Sequence, residues 1–170
     1  MSLQLIFVFI SLLSVSFLLY LYISGRVSID WKKKHSQATL ALPRHDQIED
    51  SFSLCSITIK DLCFRARVYN LHGKGDAIIL LHGWPQSSIS WQAFFDAAKD
   101  LDYKIIAFDQ RGYSPGARSK NINDYTTIKL VEDVFSIADA LNIKRFHLAG
   151  HDWGAAIGWA TVMSKSKRII

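Results

Sequence analysis

Residues 150–154 read Gly150-His151-Asp152-Trp153-Gly154, one carboxylate framed by two glycines. They directly follow the apolar run Arg145-Phe146-His147-Leu148-Ala149 and open into Ala155-Ala156-Ile157-Gly158-Trp159-Ala160, which reads as a helix. Strand, tight turn and helix are the setting of a nucleophile elbow, G-x-Nuc-x-G, with Asp152 in the seat that serine commonly takes. The exchange narrows the chemistry. A carboxylate attacking a carbonyl gives an anhydride, a poor intermediate. A carboxylate attacking an sp³ carbon gives an ordinary alkyl ester, provided the leaving group is an opened epoxide oxygen or a halide. An activated water then hydrolyses that ester, completing a two-step covalent route. Gly150 and Gly154 supply the small neighbours a tight turn needs. The helix that starts after Asp152 favours its ionised form through its N-terminal dipole and free amides. On its own the pentapeptide reads equally well as an ordinary glycine turn; the elements upstream decide between the two.

Those elements alternate. Ala77-Ile78-Ile79-Leu80-Leu81 is a continuous apolar run, expected of a strand buried on both faces. It delivers His82-Gly83-Trp84-Pro85, a place for a backbone amide to face an anion and for a cis proline. Residues 89–101 suggest an amphipathic helix with Trp91, Phe94, Phe95 and Ala98 on one side. Residues 103–108 read as a strand ending in Asp109-Gln110-Arg111-Gly112-Tyr113-Ser114-Pro115-Gly116. Residues 127–141 suggest a second helix, with Ile128, Val131, Val134, Phe135 and Ala138 at helical spacing and Asp124 or Thr126 as its cap. The elbow strand follows. Upstream of these elements, residues 56–59 and 64–69 read as a strand pair turning at Lys60-Asp61, and residues 71–76 as a glycine-rich turn. Strands and helices in this order build a mostly parallel sheet with helices on both faces, and sites in such sheets lie at the strands' carboxyl ends.

His82-Gly83-Trp84-Pro85, Asp109-Gln110-Arg111-Gly112-Tyr113-Ser114 and Gly150-His151-Asp152-Trp153-Gly154, in this order, resemble the α/β-hydrolase superfamily, and within it the epoxide hydrolase and haloalkane dehalogenase branch. The resemblance spans about residues 50–165. It implies an α/β fold, here the N-terminal half of the hydrolase sheet, with Asp152 as nucleophile and the backbone amides of Trp84 and Trp153 as oxyanion hole. It implies no cofactor. HGxP with GHDWG is more typical of epoxide hydrolases, whereas Gly112-Tyr113-Ser114-Pro115-Gly116-Ala117-Arg118 departs from the Gly-Asp-Ser usual after the tyrosine. A dehalogenase often carries Asn where Trp84 stands. His82, Gly83, Pro85, Asp109, Arg111, Gly112, Gly150, His151 and Gly154 are expected to shape the turns: His82 and His151 as hydrogen-bonding histidines, Asp109 and Arg111 as a loop clamp. The Trp84 and Trp153 rings are expected to pack.

In the family, a helical cap, an acid partner and a water-activating histidine follow the elbow. None has a counterpart up to Ile170, so the chain is expected to be an incomplete hydrolase domain. Three readings stay open: an epoxide-hydrolase-like enzyme, a haloalkane-dehalogenase-like enzyme, and a catalytically incompetent membrane-tethered fragment. The substrate expected is a small hydrophobic epoxide or halide.

The net charge of +5 lies in two places. Arg26 and Lys32–Lys34, less Asp30, carry +3, and Lys165, Lys167 and Arg168 another +3; the rest is near neutral, which excludes a broad nucleic-acid face. No metal-binding spacing of His and Cys occurs, and Cys55 and Cys63 read as free thiols more readily than as a hairpin disulfide. Residues 3–23 are dominated by Leu, Ile, Phe and Val with no charge before Arg26, long enough to span a bilayer. Residues 1–25 are therefore expected to be an uncleaved transmembrane anchor in contact with membrane lipid, 26–50 a juxtamembrane linker, and 51–170 the partial hydrolase domain. The basic flank favours a cytosolic domain on a single-pass protein.

Overall fold

The computed structural model describes Thr39 and residues 41–48, 52–164 and 166–170, all within one unit from His35 to Ile170. The expected anchor at residues 1–25 lies outside the described residues, and no helix among those described is long and apolar enough to cross a membrane.

Five strands form one sheet: β1 (Ser53–Ile59), β2 (Leu62–Tyr69), β3 (Ala77–Leu81), β4 (Lys104–Phe108) and β5 (Phe146–Gly150), in the order β1-β2-β4-β3-β5. β3 pairs in parallel with β4 and β5, but β1–β2 and β2–β4 are antiparallel. The sheet is thus mixed rather than mostly parallel. The two-residue turn at Lys60-Asp61, with Lys60 at φ 56°, leaves room only for a hairpin, since a parallel pair needs a long crossover. Pro43 and Arg44, expected in a linker, lie against the β1 edge: the Ser56 amide donates to Pro43 O at 2.9 Å, and Arg44 forms a parallel bridge to Ser56.

Among the described residues, three helices cover the sheet. α1 (Gln92–Ala98) follows a 3₁₀ turn over Ser88–Trp91, so the expected long helix is a short one with an irregular entry. Ser88 is drawn onto Asp109, and that anchoring fixes the entry. α2 (Thr127–Ala140) is capped by Thr126, whose Oγ1 accepts from the Lys129 amide. Ile128, expected on its buried face, is exposed; Ile137 is fully buried and packs in the core with Val131, Val134, Phe135 and Ala138. α3 (Trp153–Ser164) begins at the elbow.

Strand alternation divides the core in two. Ile79, Leu81, Ile106 and Phe108 face α2 and α3, whereas Leu80, Ile105 and Ala107 face α1 with Phe95 and Ala98. β3, buried along nearly its whole length, is the spine from which His82-Gly83 and, through β5, the elbow emerge side by side. Cys55 and Cys63 are both buried and free; the register sets Cys63 opposite Thr58 and Cys55 opposite Ala66, so no hairpin disulfide forms.

Candidate active site

At the carboxyl end of β5 the chain reverses sharply. Asp152 has φ 55°, the left-handed region that few side chains adopt. The turn is closed by backbone bonds: Gly154 N–H donates to His151 O at 2.9 Å and Ala155 N–H to Asp152 O at 3.0 Å. The His151 amide donates to Leu81 O at 3.1 Å, which ties the elbow to the end of β3.

The glycines are required for close approach. A Cβ on Gly154 would lie 2.2 Å from Leu81 O, and one on Gly150 would lie 2.5 Å from Gly154 O. A Cβ on Gly83 would lie 2.5 Å from Asp152 Cβ and 2.8 Å from its Oδ1. Two strand ends that share no sequence proximity are thereby pressed together, and the Asp152 side chain rests on the HGWP backbone.

There the Trp84 amide donates to Asp152 Oδ1 at 2.9 Å, beside the cis Trp84–Pro85 peptide. The Trp153 amide is the second donor to the same carboxylate. The Trp84 bond above all, then the Trp153 bond and the His151 charge, hold the Asp152 carboxyl below the usual aspartate range. The carboxylate is solvent-facing and ionised, and two amides converge on it. Such donors serve an oxyanion as well as a resting carboxylate.

The two indole rings do not pack as expected: Trp84 is 67% and Trp153 65% exposed. Both stand at the carboxyl edge of the sheet, where their backbones must meet Asp152 and their rings project away from the core.

The other motif residues form a frame. Asp109, fully buried, continues the antiparallel register opposite Arg65. Its Oδ2 accepts from Arg65 Nε at 2.6 Å, and its Oδ1 from Ser88 N at 2.8 Å and Ser88 Oγ at 2.6 Å. Arg111 forms a two-pronged pair with Asp133 of α2, at 2.7 and 2.5 Å, and the hydrogen bonds raise the guanidinium further above its ordinary range. Gly112, at φ 88°, passes under the Tyr125 ring. His151 Nδ1 lies 3.3 Å from Gln86 Oε1, outside the core.

Several residues of the frame are given no role by the sequence, although Gln110 and Ser114 stand within one of its motifs. Gln110, Ser88, Arg65 and Ser114 each join elements distant in the chain. Ser114 Oγ, fully buried, accepts from the Arg65 amide at 2.8 Å and donates to Cys63 O at 3.1 Å. Only the β2–β4 register, which no local pattern encodes, would have pointed to Arg65. Tyr113 also faces the site. It lines a cavity of about 250 Å³ with Gly83, Tyr125, Leu130, Trp153 and Ile157. Burial and the Asp152 charge push its phenol up.

Comparison with known proteins bears on the same residues. The alpha/beta hydrolase fold family matches residues 76–169. Epoxide hydrolase 2 of Caenorhabditis elegans is 38% identical over 95 residues, 56% of this chain and 26% of that protein. Epoxide hydrolase B of Mycobacterium tuberculosis is 35% identical over 86 residues, 51% of this chain and 24% of that protein. A crystal structure of an epoxide hydrolase from Vigna radiata superimposes with a TM-score of 0.64 at 27% identity, covering 70% of this chain and 38% of that one. The chain thus spans about a quarter of the length of these two curated relatives.

Proposed function

The chain belongs to the α/β-hydrolase fold family, and on that premise we propose that it carries the nucleophile half of an epoxide-hydrolase-like site. One Asp152 carboxylate oxygen attacks an epoxide carbon. The carbon–oxygen bond of the ring breaks, its electron pair stays on the oxygen, and that oxygen takes up a proton from solvent to give a hydroxyalkyl ester of Asp152. Water then adds to the ester carbonyl and gives one proton back to solvent. The oxyanion is held by the Trp84 and Trp153 amides, and its collapse passes the remaining hydroxyl proton to the leaving oxygen, releasing a vicinal diol and restoring the carboxylate.

The observation that carries this reading is the seat of Asp152: an aspartate in the left-handed elbow with Oδ1 2.9 Å from the Trp84 amide. Oδ1 accepts from the Trp84 amide, which leaves Oδ2 for attack. The epoxide hydrolases among the relatives support an epoxide over a halide, as does Trp84 in the position where a dehalogenase often carries Asn; Trp153 would serve either branch. His82 does not serve as the water-activating base, because both its ring nitrogens are engaged within the protein.

The test is intact-mass measurement of the chain after exposure to styrene oxide. The expected result is a mass increase of one epoxide that is absent from Asp152→Asn. An unmodified wild-type chain that also yields no diol, or equal modification of the variant, overturns the reading.

A further inference from the structure

The Gly83–Trp84 peptide group has partners at both ends. Its N–H donates to Asp152 Oδ1. Its carbonyl, Gly83 O, accepts from the Gln86 amide at 3.0 Å and lies 2.9 Å from His82 Nδ1. His82 Nε2 lies 3.0 Å from the Gln110 amide.

These partners fix the tautomer. A backbone N–H can only donate, so Nε2 is the acceptor and carries no proton. A carbonyl can only accept, so Nδ1 carries the proton. The ring is fully buried, edge-on to Tyr113 with centroids 4.7 Å apart. Gln110 Nε2 grips the same residue a second time, donating to His82 O at 2.5 Å. The ring thus has one seat and one protonation pattern.

We infer that His82 is a positioning residue for the oxyanion hole: the chain Gln110 N–H to Nε2, Nδ1–H to Gly83 O, and Trp84 N–H to Asp152 Oδ1 orients and polarises the amide that holds the nucleophile. The physical basis is amide resonance. A carbonyl that accepts hydrogen bonds shifts density toward oxygen, which makes the N–H of the same peptide group a stronger donor, and bonds in series reinforce one another. Neutral His82 is essential to the relay, since an imidazolium would present a proton to the Gln110 amide. Burial favours the neutral form, against the pull of the Gly83 bond and the Asp109 charge. The groups that face Asp152 itself are His151, Tyr113 and the two amides.

The role of His82 in reactivity rests on the proposed nucleophile; its effect on Asp152 ionisation does not. The test therefore reads both, on the full chain. His82→Phe keeps a ring and removes the donor, while His82→Asn places an amide N–H where Nδ1 stood. In ¹H–¹⁵N spectra, His82→Phe is expected to move the Trp84 amide upfield and to shift the Asp152 titration upward. Styrene oxide adduct formation should slow on the order of tenfold, less than the effect of deleting an oxyanion donor outright. His82→Asn is expected to recover most of each change. A folded His82→Phe with unchanged Trp84 shift and Asp152 titration overturns the inference, as does failure of His82→Asn to restore them. Should His82→Phe not fold, ¹⁵N shifts of the wild-type ring decide: Nδ1 protonated and Nε2 bare at neutral pH is expected, and the opposite tautomer or an imidazolium contradicts it. Expected spectra with neither adduct nor diol from the wild-type chain would sink the nucleophile and leave the relay standing.

Discussion

The Trp84 amide reaches Asp152 Oδ1 at 2.9 Å although the two residues are 68 positions apart in the chain. β3 and β5 are parallel neighbours, so their carboxyl ends finish on the same side, Leu81 level with Gly150. The turns leaving them meet because three glycines remove every Cβ that would hold them apart. The reactivity proposed for Asp152 depends on that contact, and so does the packing of the strand ends around it.

Gly154→Ala and Gly83→Ala are each expected to force the two strand ends apart. At Gly154 the added Cβ meets main chain, Leu81 O at 2.2 Å and His82 O at 2.7 Å, and neither can yield without moving β3. The expected cost is about 1–3 kcal/mol, read as a lower denaturation midpoint. At Gly83 the added Cβ meets Asp152 Cβ at 2.5 Å and His151 O at 2.9 Å, which no side-chain rotation can move. Gly83→Ala should therefore push the elbow off the HGWP turn and lose adduct formation together with stability.

Much of this contact is legible in the residue order alone. The apolar run at β3, the GHDWG turn and the helix after it announce an elbow, and HGWP announces a strand end with a free amide. Local periodicity also locates β4, and α2 to within a residue of its observed end. What periodicity cannot supply is partnering. β2 reads as a strand from its alternation, but nothing local says that it lies antiparallel to β4, which is what delivers Arg65 to Asp109. The Trp84 and Trp153 rings are expected to pack because large apolar side chains usually do. Their backbones are committed to the site, and that leaves the rings outside. Ile128 misleads for a related reason: it has helical spacing but sits in the first turn of α2 and stays exposed.

The Arg111–Asp133 pair ties the loop after β4 to α2. Both side chains are nearly buried, at 10% and 5% exposure. Asp133→Ala leaves the guanidinium without its carboxylate in that setting, and such a loss costs about 3–5 kcal/mol. Urea denaturation should show a midpoint lowered accordingly. A change within a few tenths of a kcal/mol would mean that Arg111 finds water instead.

The buried His82 sets a pH dependence. Its folded value is lowered by burial, so the unfolded chain takes up its proton first as pH falls. The stabilisation is complete above the ordinary histidine range, near pH 6.5, and is lost as pH falls from there toward the lower folded value. Thermal unfolding followed from pH 7.5 to pH 5 should give a falling Tm, with a shallower slope in His82→Asn. Equal slopes would assign the acid sensitivity to other groups.

The most direct measurement is the location of the adduct. After reaction with styrene oxide, tandem mass spectrometry of the peptide containing Gly150–Gly154 is expected to place the added mass on Asp152, as an ester that hydroxylamine removes. The Cys55 thiol, buried and pushed up to about 12, should remain unmodified. An adduct on a cysteine or histidine that survives hydroxylamine, with Asp152 unmodified, would contradict the nucleophile assignment.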